Sequence, residues 1–460
     1  MTLIKSISGI RGTIGGKPGL NLTPVDIIEC TAAFGTWVIR TSGIKKIIVG
    51  RDGRISGKIV SELVINTLQS LGIEVIDLGL STTPTVEIAV PLEKAGGGII
   101  LTASHNPAQW NALKFLNSDG EFISGEDGKI VLNLIDDGEI SFSEVHALGA
   151  IKTNDTYINR HIQLILDLDV VFVEQIKKRK YKVVVDAINS TGAIAVPALL
   201  NALGCETILI NGEINGEFAH NPEPLPEHLG QICAKMLEEK AEIGIVVDPD
   251  VDRLAFVCED GSLFGEEYTL VAAADHILSL KPGNTVSNMS STRALRDVTE
   301  SAGGIYQAAA VGEVNVVKKM KEINAVIGGE GNGGVIYPQL HYGRDALVGI
   351  AIVLSKLASS GLSLSQLRAQ YPNYFISKNK IELSDGIDMD ELFKQIQMVY
   401  KEQPINTEDG LKIEFGKNWV HLRKSNTEPI IRIYAESNTA ENADKLALDM
   451  ISEIKKIGKL

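Results

Sequence analysis

Short apolar runs alternate along this chain with segments in which apolar residues recur at helical spacing. Short runs bounded by polar or glycine-containing stretches are typical of buried strands, and recurrence about every three to four residues is typical of amphipathic helices. The predicted strands are Lys46–Gly50, Glu74–Leu78, Gly98–Thr102, Lys182–Asp186, Glu206–Ile210, Glu242–Val247, Thr285–Asn288 and Ala325–Gly328. The predicted helices are Pro24–Arg40, Lys58–Leu71, Ile194–Leu203, Glu267–Leu280, Val314–Ile323 and Asp345–Ala358. This alternation predicts α/β domains with mainly parallel strands.

The last part of the chain has a different pattern. From Asn379 onward it predicts strands at Leu411–Phe415, Trp419–Arg423 and Ile430–Glu436 beside two amphipathic helices, which is typical of an α+β domain. Polar stretches that could separate domains are Ala147–Asp155, Glu259–Gly265 and Tyr371–Ser377.

Composition limits the classes of function. The 460 residues are enough for about three or four domains, and 44% hydrophobic content supports well-formed cores. A net charge of −14 disfavours non-specific binding to nucleic acid or to anionic membranes. We expect neither secretion nor membrane insertion, because the N-terminal residues lack an apolar h-region and no later apolar run is long enough to span a bilayer. The four isolated cysteines fit a reducing cytoplasm.

Three carboxylates occupy alternate positions in Asp248-Pro249-Asp250-Val251-Asp252, between two apolar strand-like runs. Hard divalent cations take oxygen ligands, and a tight turn can direct alternate side chains to one ion. An EF-hand is excluded because Arg253 stands where its loop needs glycine and because strands flank the segment. The segment is therefore the candidate metal site, with a solvated acidic turn as the alternative.

Ser104 lies in Thr102-Ala103-Ser104-His105-Asn106-Pro107, directly after a predicted strand, where α/β sheets present reactive groups. A serine hydroxyl is a weak nucleophile without a base or metal, and no G-x-S-x-G elbow is present. Alone, Ser104 is an ordinary turn serine. Together with the aspartate segment, it predicts a phosphoryl carrier near a cation. Lys114 is either a proton-transfer group or a surface lysine.

Two further motifs carry groups that suit a phosphosugar. In Arg423-Lys424-Ser425-Asn426-Thr427-Glu428-Pro429, followed by Arg432, guanidiniums flank polar donors that can bind a phosphate monoester; a plain polar loop is the alternative.

A G-x-G-x-x-G runs from Gly329 to Gly334, but a strand-like segment with a proline follows it, so a dinucleotide site is not expected. Glu330 and Asn332 in this loop suit sugar hydroxyls better. The segments Gly50–Arg54 and Ser8–Gly12 are weaker signals, equally consistent with glycine turns.

With TASHNP, DPDVDR, GEGNGG and RKSNTEP in this order, the chain resembles the α-D-phosphohexomutase family over essentially its whole length. The resemblance implies an α/β fold of four domains around a central cleft. We expect a phosphoserine domain at 1–147, a metal-binding domain at 148–258 and a sugar-binding domain at 259–372, each with a mixed or parallel sheet. A C-terminal α+β phosphate-binding domain is expected at 373–460.

The resemblance also implies roles for individual residues. Ser104 matches the serine that carries a phosphoryl group. The implied ligands of Mg²⁺ are Asp248, Asp250 and Asp252, with the phosphate on Ser104 completing the site. Glu330 and Asn332 match the sugar-binding loop. The implied phosphate clamp is Arg423, Ser425, Asn426, Thr427 and Arg432. The other matching active-site positions are Arg11, His105, Lys114 and Arg253.

The implied reaction is reversible transfer of a phosphoryl group between the 1- and 6-positions of a hexose phosphate, through phosphoserine and a hexose bisphosphate. GEGNGG resembles certain phosphoglucosamine mutases, whereas the phosphomannomutase/phosphoglucomutase branch usually has histidine at the position of Gly334. This departure leaves Lys114 as the better proton-transfer candidate. Glu313 also replaces a basic residue or histidine; it either binds the 2-ammonium group of an amino sugar or is a helix N-terminal glutamate favoured by the helix dipole.

The leading hypothesis is a magnesium-dependent phosphohexomutase that acts on glucosamine phosphate. A phosphomannomutase/phosphoglucomutase is the alternative. A metal-dependent phosphomonoesterase is less consistent with the sequence, because no His/Asp cluster supplies a water-activating base and further ligands. A silent sugar-phosphate sensor would need neither Ser104 nor the three aspartates. We expect hexose phosphate and hexose bisphosphate as ligands, no nucleic acid or membrane partner, and a monomer or homodimer.

Overall fold

The computed structural model describes residues 2–6, 9–382, 388–424 and 430–458. The strands in these ranges are β1 (Ile4–Ser6), β2 (Gly9–Thr13), β3 (Lys46–Arg51), β4 (Glu74–Leu80), β5 (Gly97–Leu101), β6 (Trp110–Leu116), β7 (Ile151–Thr153), β8 (Lys182–Asp186), β9 (Glu206–Ile210), β10 (Ile243–Val247), β11 (Leu254–Cys258), β12 (Thr285–Asn288), β13 (Tyr306–Ala309), β14 (Ile327–Glu330), β15 (Gly334–Ile336), β16 (Phe375–Glu382), β17 (Ile405–Asn406), β18 (Leu411–Phe415), β19 (Asn418–Lys424) and β20 (Ile430–Ser437).

The helices lie between these strands. They are α1 (Pro24–Ser42), α2 (Gly57–Ser70), α3 (Thr83–Leu92), α4 (Gly125–Asp137), α5 (Tyr157–Leu166), α6 (Val173–Arg179), α7 (Gly192–Ala202), α8 (Gly230–Glu239), α9 (Glu266–Leu280), α10 (Ala294–Ser301), α11 (Glu313–Glu322), α12 (Ala346–Ser360), α13 (Leu364–Arg368), α14 (Met389–Val399) and α15 (Ala440–Gly458).

The chain divides into two compact units. Unit 1 comprises Met1–Thr269 and Gly333–Ser365, and unit 2 comprises Leu270–Asn332 and Gln366–Leu460. Unit 1 contains a seven-stranded sheet of order β1-β2-β6-β5-β3-β4-β7 and a four-stranded sheet of order β11-β10-β8-β9. In the first sheet β5, β3, β4 and β7 are parallel and β1, β2 and β6 antiparallel. In the second, only β11 is antiparallel.

Aromatic and aliphatic side chains fill the core of the first sheet. Phe34 of α1 stacks on Phe115 of β6 with ring centroids 4.3 Å apart, and Ile47 and Val49 of β3 are fully buried in the same cluster. Burial of such side chains contributes about 1.5–3 kcal/mol each, so the helix face and the sheet face stabilise each other. This packing fixes β5, which the Ser104 segment follows, and β6, which carries Lys114.

Unit 2 contains parallel strands in the order β13-β12-β14, and an antiparallel sheet of order β16-β20-β19-β18-β17 that packs against α14 and α15. The predicted strand at Ala325–Gly328 starts two residues later than expected, because the backbone of Ala325 still closes the end of α11 through a hydrogen bond to Met320. A Cβ atom on Gly328 would lie 2.8 Å from the carbonyl oxygen of Val286, so glycine permits the close strand pairing there.

The α/β fold with mixed sheets confirms the predicted fold class, and the C-terminal α+β pattern is also confirmed. The hairpin β1–β2 and strand β6 were not among the predicted elements, and β6 carries Lys114. Across the described ranges, no helix combines the length and apolarity needed to cross a bilayer.

Candidate active site

Ser104 is a buried residue in a left-handed backbone conformation, with φ of 47° and 6% exposure. Its hydroxyl donates a 2.7 Å hydrogen bond to Asp248 Oδ2, and its backbone N–H donates to Thr102 Oγ1. A non-glycine residue at positive φ stores strain, which is common at functional sites. The structure therefore brings together two residues that the sequence assigned to one site.

The aspartate segment is a turn between β10 and β11 whose backbone is fixed by other parts of unit 1. Three successive carbonyls, those of Pro249, Asp250 and Val251, accept hydrogen bonds from the N-termini of three helices. The donors are the hydroxyls of Ser190 and Thr191 before α7, the N–H of Thr83 in α3 and the N–H of Ala346 in α12. Helix N-termini carry partial positive charge, so this arrangement also stabilises the carboxylates of the turn.

The three aspartates form a buried anionic cluster in which one carboxylate oxygen of each lies within 4.8 Å of the others. Burial, followed by the charges of Asp252 and Asp250, raises the pKa of Asp248 well above its usual range. Oδ1 of Asp250 and Oδ1 of Asp252 are buried and have no hydrogen-bond partner within the described part of the chain. Because hard divalent cations bind carboxylate oxygens, the donor set fits such an ion.

Basic residues surround this cluster. Lys114 Nζ lies 2.9 Å from Asp250 Oδ2 and 3.9 Å from Asp252 Oδ2. Burial opposes the charge of Lys114, but Asp250 and Asp252 outweigh it and raise its pKa, so the lysine is protonated. Arg344, which the sequence analysis did not single out, donates a 2.7 Å hydrogen bond to Asp252 Oδ2.

Three more predicted active-site residues lie in unit 1. Arg11 of β2 pairs with Ala112 of β6, two residues before Lys114, so Arg11 and Lys114 extend from the same face of the sheet. Arg253 forms a 3.1 Å ion pair with Glu223. Burial and nearby cations, Arg253 first among them, lower the pKa of His105 to about 3, so its imidazole is neutral.

Arg54 holds the Ser104 segment in place. This side chain is 1% exposed and donates through Nε to Asp52 at 3.0 Å. Its two terminal nitrogens donate to four backbone carbonyls, those of Ser104, Asn106, Pro107 and Trp110. The Gly50–Arg54 segment gave only a weak sequence signal, because the four carbonyl partners of Arg54 are 50 to 56 residues away.

In unit 2, Glu330 lies at the end of β14 and is 4% exposed. Its Oε1 accepts hydrogen bonds from Asn288 Nδ2 at 2.8 Å and from the N–H of Gly312 at 3.0 Å. Glu313, 8% exposed, follows Gly312 directly and is the first residue of α11. Asn332 belongs to the same glycine-rich segment as Glu330. Two of the predicted sugar-contacting carboxylates are therefore near neighbours.

The predicted phosphate clamp is partly described. Arg423 of β19 lies directly opposite Arg432 of β20, and Arg432 lies opposite Lys380 of β16. The three side chains form a cationic row across the sheet, and Arg423 pairs with a carboxylate, Asp409 Oδ2 at 2.7 Å. Lys380 was missed by sequence reasoning. The remaining predicted clamp residues, Ser425, Asn426 and Thr427, lie outside the described residues.

A buried serine on a three-carboxylate cluster that could hold a metal ion, within α/β domains, is consistent with a phosphotransferase. The chain matches the four domain models of phosphoglucomutase/phosphomannomutase: alpha/beta/alpha domain I at 3–140, domain II at 155–261, domain III at 265–374 and the C-terminal domain at 380–453. It therefore belongs to the phosphoglucomutase/phosphomannomutase family of isomerases, the α-D-phosphohexomutases that its motifs resemble.

Individual relatives carry names from two branches of this family. A phosphoglucomutase/phosphomannomutase of Thermococcus kodakarensis is 34% identical over 95% of this chain and 94% of its own length. A phosphoglucosamine/phosphogalactosamine mutase of Sulfurisphaera tokodaii is 33% identical over 98% of this chain and 97% of its own length. A crystal structure of a family protein from Burkholderia thailandensis covers 99% of this chain and 97% of its own, with a TM-score of 0.86 and 27% identity.

Proposed function

We propose that this chain is a magnesium-dependent phosphohexomutase that interconverts glucosamine 6-phosphate and glucosamine 1-phosphate. The observation that carries the proposal is the 2.7 Å hydrogen bond from the Ser104 hydroxyl to Asp248 in the buried three-aspartate cluster. A serine that only stabilised a turn would not need to face three carboxylates. A serine that carries a phosphoryl group beside a cation does.

In the proposed reaction, phosphorylated Ser104 donates its phosphoryl group to the free hydroxyl of the bound hexose phosphate. The bond from phosphorus to the serine oxygen breaks as the bond to the sugar oxygen forms, and the proton lost by the sugar hydroxyl is balanced by the proton that the serine oxygen gains. The product is a hexose bisphosphate. The bisphosphate then binds in the opposite orientation and returns its other phosphoryl group to Ser104. Mg²⁺, held by Asp248, Asp250 and Asp252, would neutralise charge on the transferred group.

Lys114 supports the return step as a proton donor. Its ammonium group is charged because Asp250 and Asp252 raise its pKa, so it can give a proton to the sugar oxygen that leaves phosphorus. Neutral His105 and the cations Arg11 and Arg253 are the further active-site residues of this proposal. They supply a neutral imidazole and positive charge for the phosphoryl oxygens.

The cationic row of Lys380, Arg432 and Arg423 supports binding of the non-reacting phosphate. Like charges directly opposite each other on neighbouring strands are unfavourable unless an anion lies between them, and guanidinium groups bind phosphate oxygens in pairs. Ser425, Asn426 and Thr427 are proposed to complete the clamp. Remote binding of this phosphate would orient the sugar toward phosphorylated Ser104.

The preference for an amino sugar rests on Glu313, with Glu330 and Asn332 binding the sugar hydroxyls. A buried carboxylate next to the segment that binds Glu330 can accept hydrogen bonds from a 2-ammonium group. Glucose and mannose phosphates are the second candidates, because the Thermococcus kodakarensis relative, named phosphoglucomutase/phosphomannomutase, is 34% identical to this chain.

The test is a comparison of kcat/KM on the 1-phosphates of glucosamine, glucose and mannose, with Mg²⁺ and a trace of glucose 1,6-bisphosphate present. We expect isomerisation with the highest kcat/KM for glucosamine phosphate. If kcat/KM is highest for glucose or mannose phosphate, the protein is a phosphomannomutase/phosphoglucomutase instead. If inorganic phosphate is released faster than the sugar phosphate is isomerised, the protein is a phosphomonoesterase and not a mutase.

A further inference from the structure

A second cluster of ionisable side chains is buried in unit 1 and is not used by the proposed reaction. It comprises Glu87 of α3, His161 of α5, His341, and Asp345 at the N-terminus of α12. His161 and Asp345 are fully buried, and Glu87 is 1% exposed. Charged residues of this kind are rarely buried without a partner that compensates them, so the cluster requires an explanation.

The geometry of three of these residues matches a metal site. His161 Nε2 lies 2.9 Å from Asp345 Oδ2, and His341 Nε2 lies 3.4 Å from the same oxygen. One ligand atom from each residue lies within 4.8 Å of the others. In a tetrahedral zinc site with bonds of about 2.0–2.1 Å, ligand atoms are about 3.3 Å apart. The distances between these ligand atoms are therefore close to those in a tetrahedral zinc site.

The side-chain atoms that would face away from the proposed ion have the kind of contacts that metal ligands have. A metal-binding histidine normally donates its second ring N–H to an oxygen that fixes its orientation. His161 Nδ1 lies 3.0 Å from Thr85 Oγ1, and His341 Nδ1 lies 3.3 Å from Glu87 Oε2. Asp345 Oδ1 caps helix α12, which leaves Oδ2 toward the two histidines.

Charge gives an independent reason to expect a cation. Both carboxylate oxygens of Glu87 are buried, and Oε2 lies 3.3 Å from His341 Nδ1. When both imidazoles are neutral, as metal binding requires, the carboxylates of Glu87 and Asp345 give the cluster a charge of about −2, which one divalent cation would neutralise. We propose that His161, His341 and Asp345 bind a divalent transition metal of the zinc class.

Imidazole nitrogen suits zinc, copper or nickel, whereas the oxygen-only aspartate cluster suits magnesium. The proposed ion would join two segments that are far apart in sequence, α5 through His161 and the start of α12 through Asp345, and α3 would be linked to it by the contact of Glu87 with His341. An ion that binds only the folded chain stabilises it by mass action. Its expected effect is thus a higher melting temperature of unit 1.

Protons compete for the same place. Burial opposes the charge of His341, but its contacts with Asp345 and Glu87 raise its pKa to about 10. The other groups that act on Glu87 at longer range are Asp252 and Lys114. Because an imidazole binds a metal only in its neutral form, metal affinity should rise with pH and binding should release protons.

The test is a zinc titration of the full chain, with excess Mg²⁺ to occupy the aspartate cluster. We expect one tightly bound zinc ion per chain by competition with a chromogenic chelator, and a pH-dependent proton release. His161→Gln and His341→Gln should each weaken zinc binding by about 100-fold or more, and Glu87→Gln by about 10- to 100-fold. His146→Gln is the matched control, because His146 is an exposed histidine of the same unit and should leave the affinity unchanged.

A wild-type chain that binds no zinc in excess Mg²⁺ would overturn the proposal, as would unchanged affinity in both histidine variants. If the variants do not fold, Co²⁺ added to the wild-type chain decides the question. Strong visible bands of a four-coordinate, nitrogen-ligated ion support the site. If the spectrum shows only the weak bands of an oxygen-ligated octahedral ion, the proposed site is refuted. The four residues would then be a hydrogen-bonded network of ionisable side chains.

Discussion

Ser104 and Asp248 are 144 residues apart in the sequence, yet the serine hydroxyl donates a hydrogen bond to the aspartate carboxylate at 2.7 Å. A phosphate on Ser104 would place its negative oxygens against three buried carboxylates. Like charges in a buried site repel each other strongly, so the phosphorylated state requires a cation between them. This pair of residues links the carrier role of Ser104 to the metal site.

Ser104→Ala should reduce mutase turnover to background, because the proposed acceptor oxygen is lost. The unfolding free energy should change by only about 1 kcal/mol, the usual value of one hydrogen bond. Turnover with a bisphosphate activator and mass spectrometry of the wild-type peptide containing Ser104 measure the effect. Substantial isomerisation by the variant would rule out the carrier role.

Arg54→Lys should lower kcat at least tenfold, because a lysine cannot replace a buried guanidinium that binds Asp52 and four carbonyls around Ser104. We also expect a loss of about 2–4 kcal/mol in unfolding free energy. Arg51→Lys is the matched control, since the Arg51 side chain is on the same segment and donates a 3.2 Å hydrogen bond to the carbonyl of Asp52. Equal effects of both changes would show that Arg54 does not position Ser104.

Arg432→Lys and Lys380→Gln should each raise KM for a hexose phosphate by about tenfold, because each weakens the cationic row that holds the non-reacting phosphate. Steady-state kinetics at two ionic strengths measure KM. Because salt screens charges, the difference in KM between each variant and wild type should be smaller at the higher ionic strength. Lys417→Gln, at an exposed lysine in the turn between β18 and β19, should leave KM unchanged. If Lys417→Gln raised KM as much, general surface charge would explain the result.

Glu313→Gln should cost glucosamine phosphate about 1–3 kcal/mol of transition-state binding and glucose phosphate little, because only the amino sugar offers an ammonium group. The ratio of kcat/KM for the two sugars measures this discrimination. Glu322→Gln at the other end of α11 is an exposed control and should leave the ratio unchanged. Equal losses on both sugars would mean that Glu313 is structural.

His421 should make unit 2 sensitive to mild acid. It is 1% exposed, with Nδ1 2.9 Å from Ser290 Oγ and Nε2 2.7 Å from the carbonyl oxygen of Asp409. Burial lowers its pKa to about 4, whereas the unfolded value is about 6.5.

The unfolded chain therefore binds the proton more readily, and stability is lost as pH falls from about 6.5 to about 4, by up to about 3 kcal/mol. Melting temperatures measured across this range should fall less steeply for His421→Gln than for wild type. His146→Gln, at an exposed histidine, should follow the wild-type curve. Parallel curves for all three proteins would exclude His421 as the cause.

Local pattern predicted the regular elements well where a strand is buried on both faces. Lys182–Asp186 has the predicted bounds, because an uninterrupted apolar run allows only one alignment with the core. Glu206–Ile210, at the edge of the same sheet and only partly buried, also has the predicted bounds. The Ile327–Glu330 strand was predicted two residues too early, since glycines at 328 and 329 weaken its apolar signal. Strand β6 was missed because Asn111 and Lys114 interrupt its apolar pattern.

Motifs likewise indicated residues of the candidate site only where those residues are close together in the sequence. The aspartate segment and the Ser104 segment each carry their own signal. Arg344 and Lys380 have no such signal, since each acquires its role from a residue opposite it in space, Asp252 for the first and Arg432 for the second. Residues of this kind can be found only once the strands and turns that face them are known.

The three carbonyls of the aspartate turn also determine when the site can form. Their donors come from residues 83, 190, 191 and 346, so the contacts join early, middle and late parts of the chain. Domains generally fold in the order in which the ribosome releases them. A nascent chain that ends before Ala346 would have Ser104 and all three aspartates but would lack the last backbone contact to the turn. The full set of backbone contacts to this turn can thus form only late in the synthesis of this protein, after the segment that supplies Ala346 has left the ribosome.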